Sequence, residues 1–185
     1  MHTDMEVQKL VLTNESDVEK ALTVYGVVEW CLWNAVDDST NFQRNLNIGE
    51  VEVEGSVIYH KTEYRERRDH YAYYGVNAPI AGFDTDRDAF LGIFGNFGKP
   101  QAVLNGKTGD YIAHGGAPMA GLSLDITLAP DEEASYVFVL GYGQNPRDQK
   151  FLSPGVIRKD TAYRVMEKFS TDAAVEAALG ELDAY

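Results

Sequence analysis

The chain has 185 residues, 44% hydrophobic and 24% charged, long enough for one domain, or one domain plus an appendage, to bury a core without staples. Its 29 acidic against 16 basic side chains give a formal net charge of −13, which argues against binding nucleic acid or an anionic membrane surface. The single cysteine, Cys31, excludes an intramolecular disulfide framework and a thiolate zinc cluster, and no apolar run approaches the roughly 18 residues of a membrane-spanning helix.

Met1-His2-Thr3-Asp4 has neither a basic region nor an apolar stretch, so it predicts no secretory signal and a cytoplasmic protein. From Glu6 to Tyr142 the sequence reads as strands divided by turns. Leu22, Val24, Gly26, Val28, Trp30 and Leu32 hold alternate positions, as a strand with one face in a core requires, and Cys31 within that run reads as packing. Glu50-Val51-Glu52-Val53-Glu54 alternates more cleanly still, and Gly55-Ser56 offers a tight reversal into Val57-Ile58-Tyr59-His60. His70–Val76 predicts another aromatic strand. Leu122, Leu124, Ile126 and Leu128 predict a further one, with Ala129-Pro130-Asp131 turning the chain into Tyr136–Leu140. Between these, Asp84 or Thr85 could cap a short helix over residues 84–91, and the glycine-rich stretch 92–116 reads as loop with at most short strands.

After Asn145-Pro146 the period changes. Ala162, Val165, Met166 and Phe169 keep helical spacing, as do Val175, Ala178, Leu179 and Leu182, with Ser170 or Thr171 as cap of the second helix. The expected fold is mainly β: an antiparallel sandwich over 1–145 followed by two carboxyl-terminal α-helices in 146–185. Early entry into a strand and an apolar helical stripe at the carboxyl end suggest a truncated unit; packing of both helices back onto the sheet is the alternative.

Two polar segments could carry binding chemistry. Residues 59–71 set four basic against three acidic side chains among aromatics, compatible with sugar or phosphate contacts and with a salt-bridged hairpin. Residues 33–45 gather Asn34, Asn41, Asn45, Gln43 and Arg44 around Trp33 and Phe42, without helical period. Amides donate and accept together, which suits sugar hydroxyls, although an ordinary polar loop remains open. Asp84-x-Asp86-x-Asp88 has the start of a calcium-loop spacing. Ala89 and Gly95 stand where such a loop needs glycine and glutamate, so capping is the better account. His2, His60, His70 and His114 form no ligand pair at helical spacing, and no Gly-x-Ser-x-Gly elbow surrounds a serine.

Glu29-Trp30-Cys31-Leu32-Trp33-Asn34-Ala35, Thr40–Asn45, Ile48–Val53, Ile58–His70, Gly82–Phe90 and Val139–Tyr142, taken in order, resemble the amino-terminal region of the cellobiose phosphorylase family. The resemblance implies part of a β super-sandwich plus the start of a helical linker, with earlier sandwich strands and the catalytic (α/α)6 barrel absent. That makes truncation the favoured expectation. Members cleave a β-glucosidic bond with inorganic phosphate as co-substrate, inverting the anomeric centre to give α-glucose 1-phosphate and glucose. Phosphate is already an anionic nucleophile, so such a site needs one acid plus a cationic pocket, where an inverting hydrolase needs an acid and a base. In the family these groups lie in the barrel, so the chain alone is expected to be inactive, with no catalytic residue, metal or cofactor of its own.

What the resemblance does carry over is a loop that reaches across a homodimer to the acceptor side of the partner's active site. The matching positions are Arg44, Asn41, Asn34 and Gln43, with Asn45 beside them, and the ligand implied is a β-glucoside such as cellobiose. The alternative is a stand-alone carbohydrate-binding module, or an assembly module that complements a separate barrel. Where relatives tend to have Gly-Trp before Ala-Pro, this chain has Gly115-Gly116-Ala117-Pro118, a departure that bears on local packing.

Overall fold

Alternation of apolar and polar residues gives each strand two distinct faces, and in the computed structural model the strands pair as an antiparallel β-sandwich. Residues 4–31, 36, 40, 48–63 and 68–183 are described. One sheet has the order β1-β8-β5-β4-β3, formed by Asp4–Thr13, Glu133–Gln144, His70–Val76, Val57–Thr62 and Ile48–Glu54. The other has the order β2-β7-β6, formed by Lys20–Glu29, Pro118–Leu128 and Gly82–Asp86. The β3–β4 hairpin reverses at Gly55, whose φ of +57° suits glycine, and Glu54 pairs with Val57.

The core lies on both faces of the five-stranded sheet. Inward, Ile58, Tyr74, Val76 and Phe138 meet Leu122, Leu124, Ile126 and Leu128 of β7. Outward, Tyr59, Tyr71, Tyr73, Val137 and Val139 meet the carboxyl-terminal segment. That segment holds a two-stranded hairpin absent from the sequence reading, β9 (Phe151–Ser153) with β10 (Val156–Ile157), and then α3 (Asp160–Lys168) and α4 (Asp172–Asp183). Ala162, Val165, Phe169 and Val175 are buried against the tyrosines, with Met166 and Ala178 packed beside them. The helical stripe is therefore covered by the sheet, the alternative left open above, although Leu179 remains half exposed. Thr171 Oγ1 accepts from Ala174 N at 3.4 Å, as expected of a cap.

Gly141 and Gly143 lie beneath the rings of Tyr73 and Tyr71. A Cβ on Gly141 would collide with the Tyr73 ring, and one on Gly143 would stand 2.6 Å from Tyr71 Cζ.

Three expectations are corrected. The short helix, α1, runs from Arg87 to Leu91, and its cap is Asp86, whose Oδ1 accepts from Asp88 N and Ala89 N; β6 extends through the earlier candidates Asp84 and Thr85. The stretch 92–116 contains a helix, α2 (Gln101–Asn105), entered through Pro100 with φ preset at −65°. Cys31 lies beyond the end of β2 and is exposed rather than packed.

Candidate functional site

Arg44, Asn41, Asn34 and Gln43, with Asn45, fall outside the described residues. What the structure describes is how the segment carrying them is rooted. Val36 and Thr40 within it are helical, where no helical period was expected, and Thr40 Oγ1 donates to the Val36 carbonyl at 2.7 Å.

The first root leaves the edge strand of the three-stranded sheet. Glu29 pairs with Met119, and Trp30 N donates to the Pro118 carbonyl at 3.1 Å. Arg87 Nε meets Glu29 Oε1 at 3.0 Å, tying the root to α1. The Trp30 indole packs on the His60 ring with centroids 4.7 Å apart. His60 is wholly buried in β4, and its Nε2 lies 3.0 Å from the Met119 carbonyl of β7. A carbonyl can only accept, so Nε2 carries the hydrogen and Nδ1 is the acceptor nitrogen. Burial, only partly opposed by that hydrogen bond, pushes the imidazole pKa down to about 3, and His60 is neutral near pH 7.

The second root enters the edge strand of the five-stranded sheet through an irregular register between Ile48 and Val51. Here Gly49 is pressed close to Glu63; a Cβ would stand 2.6 Å from Glu63 Cγ. The buried ammonium of Lys61 pairs with Glu63 and, at 3.7 Å, with Glu50, and lies over the Phe151 ring at 5.1 Å. Burial lowers the Lys61 pKa to about 8, with Glu50 opposing the shift. The next acids along β3 hold the carboxyl-terminal segment. Glu52 accepts from Ile157 N at 2.6 Å, and Lys159 Nζ reaches Glu52 at 2.5 Å and Glu54 at 2.9 Å.

The remaining polar candidates serve the scaffold. In the basic segment, of which 64–67 lie outside the described residues, Arg68 Nε donates to the Glu63 carbonyl at 3.2 Å. Asp69 meets His70 Nδ1 at 3.0 Å and accepts from Gln144 Nε2 at 3.1 Å, so the described part is an ion-paired turn. Buried Asp84 accepts from the backbone N–H groups of Gly109 and Tyr111, and desolvation raises its pKa. Asp86 adds the Ala117 N–H to its capping bonds. Sequence reading missed Trp30, His60 and Lys61 as anchors. The β3 glutamates were the available signal, since a comb of acids on one strand face requires cations opposite.

The supersandwich domain model of glycosyl hydrolase 94 matches residues 1–172. The chain belongs to this family. The supersandwich is 27% identical over 189 aligned residues to solabiose phosphorylase of Paenibacillus borealis, covering 97% of this chain and 24% of that protein. It is 30% identical over 176 residues to the cyclic β-(1,2)-glucan synthase NdvB of Rhizobium meliloti (strain 1021), covering 92% of this chain and 6% of that protein. It is 26% identical over 143 residues to N,N'-diacetylchitobiose phosphorylase of Vibrio furnissii, covering 76% and 18%. The chain thus spans about a quarter or less of the length of these relatives. In the glycosyl hydrolase 94 supersandwich seen here, the charged groups around both roots are committed to holding strands and turns together.

Proposed function

We propose that this supersandwich serves a cytoplasmic, homodimeric phosphorylase of β-glucosides such as cellobiose, in which inorganic phosphate is the co-substrate. Its contribution is the segment 32–47, offered to the acceptor side of the partner subunit's active site. Arg44, Asn41, Asn34 and Gln43 would bind sugar hydroxyls there, the guanidinium as a fixed fork of donors and the amides as donors and acceptors together. The acid and the phosphate pocket belong to a catalytic barrel outside these residues, so the chain alone performs no phosphorolysis. The observation that carries this reading is the rooting of the segment. One end follows β2 and the other opens β3, in different sheets, and Arg87–Glu29 and Lys61–Glu50 hold the two ends. A segment whose two ends are both fastened to the sandwich suits the part of a positioned arm.

The test is a two-component assay with a catalytic barrel expressed without its sandwich. The chain alone should form no glucose 1-phosphate from cellobiose and phosphate, and the mixture should form it. In the mixture, Arg44→Ala should raise the KM for glucose in the synthetic direction about tenfold, as loss of a charge-assisted hydrogen bond implies. Turnover by the chain alone would overturn the non-catalytic reading, and an unchanged KM would overturn the role of the loop.

A further inference from the structure

Among the described residues, β2 is the edge of the sandwich that carries no guard. The β3 edge enters through an irregular register and bears Glu50, Glu52 and Glu54. The β6 edge is short, shifts register between Asp84 and Asp86, and gives the Thr85 N–H to the Tyr111 carbonyl at 3.1 Å. The β1 edge has Asp4, Glu6 and Lys9 along its length. Bulges, charges and covering loops are the devices that keep a bare edge from pairing with another chain. β2 has none of them. It runs for ten residues in unbroken register with β7, without proline, and its charges, Lys20 and Glu29, stand only at its ends.

The bond from Trp30 N to the Pro118 carbonyl continues the β2–β7 register, so it fixes which backbone groups of β2 are already engaged. In an antiparallel pair, hydrogen-bonded residues alternate with non-bonded ones. The even-numbered residues of β2 therefore turn N–H and C=O toward β7. Ala21, Thr23, Tyr25, Val27 and Glu29 turn theirs to the bare edge. Both faces of that edge are apolar. Leu22, Val24 and Val28 pack into the core between the sheets, and Tyr25 and Val27 pack against Phe90 and Ala102 on the other side. Beside the edge, between β1 and β2, a groove of about 300 Å³ opens over Leu10, Tyr74 and Phe138.

We infer that β2 pairs with β2 of a second copy of this chain, antiparallel across a two-fold axis at Tyr25. A two-fold of this kind sets one residue opposite its own copy, and the choice of residue fixes every other pair. Centred on Tyr25, Thr23 faces the partner's Val27 and Ala21 faces the partner's Glu29, so every free N–H and C=O from Ala21 to Glu29 is bonded. Centred on Val24 or Gly26, an end of the edge is left out. The Tyr25 register also matches side chains. On the inner face Leu22 meets the partner's Val28, and the partner's Val24 stands opposite Gly26, where β2 has no side chain of its own. The three-stranded sheets of two copies become one continuous sheet, and the contact closes because the same edge serves both copies. This contact is separate from the 32–47 segment and does not depend on the role given to Arg44.

Sedimentation velocity of the purified chain from about 1 to 500 µM should show a monomer–dimer equilibrium with a Kd of about 1–100 µM, as suits a contact smaller than a standard interface. Hydrogen exchange at the two ends of that range locates the contact. The amides of Thr23, Tyr25 and Val27 should exchange at least about tenfold more slowly in the dimer, while those of Leu22, Val24 and Gly26, bonded to β7, should be protected in both states. Thr23→Pro removes an N–H that no bond within one copy uses, so it should raise Kd by more than about tenfold and leave a folded monomer. Val11→Pro does the same to the β1 edge, where the Asn14 N–H bond to the Glu132 carbonyl sets even-numbered residues toward β8, and should leave Kd unchanged, as should Arg44→Ala. The proposal is overturned if the chain stays monomeric throughout, or if it dimerises while Thr23, Tyr25 and Val27 exchange as fast as in the monomer. It is equally overturned if Thr23→Pro dimerises as tightly as the parent. Exchange in the unsubstituted chain decides the matter even where the proline variant fails to fold.

Discussion

The imidazole of His60, on the strand next to the β3 edge of the five-stranded sheet, donates across the sandwich to the carbonyl of Met119 in the other sheet at 3.0 Å. A bond between two sheets is uncommon currency in a core built of Leu, Val and Tyr, and it fixes where the sheets meet at the loop end.

Its protonation behaviour makes the bond measurable. Burial holds the His60 pKa near 3 in the fold, against an ordinary 6.5. Between these values the unfolded chain takes up a proton that the folded chain refuses. The stability associated with His60 is therefore fully present above about 6.5 and is lost as the pH falls toward 3. His60→Phe should flatten that acid limb in urea unfolding followed from about pH 4 to 7, and at pH 7 should cost about 1–3 kcal/mol for the unpaired Met119 carbonyl. Equal acid slopes in parent and variant would refute the assignment.

Lys61 behaves with a different window. Its folded pKa of about 8 lies below the ordinary 10.5. Below about 8 it is charged in both states and carries the whole burden of burial. From about 8 to 10.5 only the unfolded chain keeps the proton, so stability climbs with pH. Lys61→Met should remove the climb and hold or raise stability at neutral pH by up to about 2 kcal/mol. The same change should speed hydrogen exchange at the amides of Gly49 and Glu50, which lose the ammonium that anchors them.

The glycines under the tyrosine layer set a steric limit. Gly141→Ala drives a methyl group into the Tyr73 ring and should cost about 1–3 kcal/mol by chemical denaturation. Tyr73→Phe should do the reverse. The Tyr73 hydroxyl is buried without a partner among the described residues, so its removal should leave stability unchanged or raise it by about 1 kcal/mol.

Asp86 serves α1 and the Ala117 N–H together, so Asp86→Ala should lower stability by about 1–2 kcal/mol in thermal unfolding. Gly116 has φ +90°, and a Cβ there would collide with Asp86 Oδ2. Gly116→Trp should therefore destabilise through the same cap, and its effect should shrink in an Asp86→Ala background. Full additivity of the two changes would separate them.

The strands were readable because their faces alternate: Glu50–Glu54 declares a strand with two different sides, and Gly55 declares the turn beside it. The partners of those sides were not readable. Lys61 and Lys159 answer the same acid comb from positions 11 and 109 residues beyond Glu50, and no local pattern distinguishes such cations from solvated ones. The cap of α1 was misplaced because Asp84, Thr85 and Asp86 are all competent caps, and only the extent of β6 chooses among them. Helical stripes in the carboxyl-terminal segment were visible, but a stripe says that it is buried and not against what; the tyrosine face of β4 and β5 supplies the answer. Trp30 and His60 become related only when two sheets are stacked, so their contact left no mark in the local sequence pattern.

A span fastened to two separate sheets responds to shear. Residue 31 follows the edge of the smaller sheet and residue 48 opens the edge of the larger, so any slip of one sheet along the other changes the distance the intervening segment must cover. The His60–Met119 bond sits where it restrains that slip. Substitutions deep in the sandwich are thereby able to change the distance between Cys31 and Ile48 without altering a single residue between them.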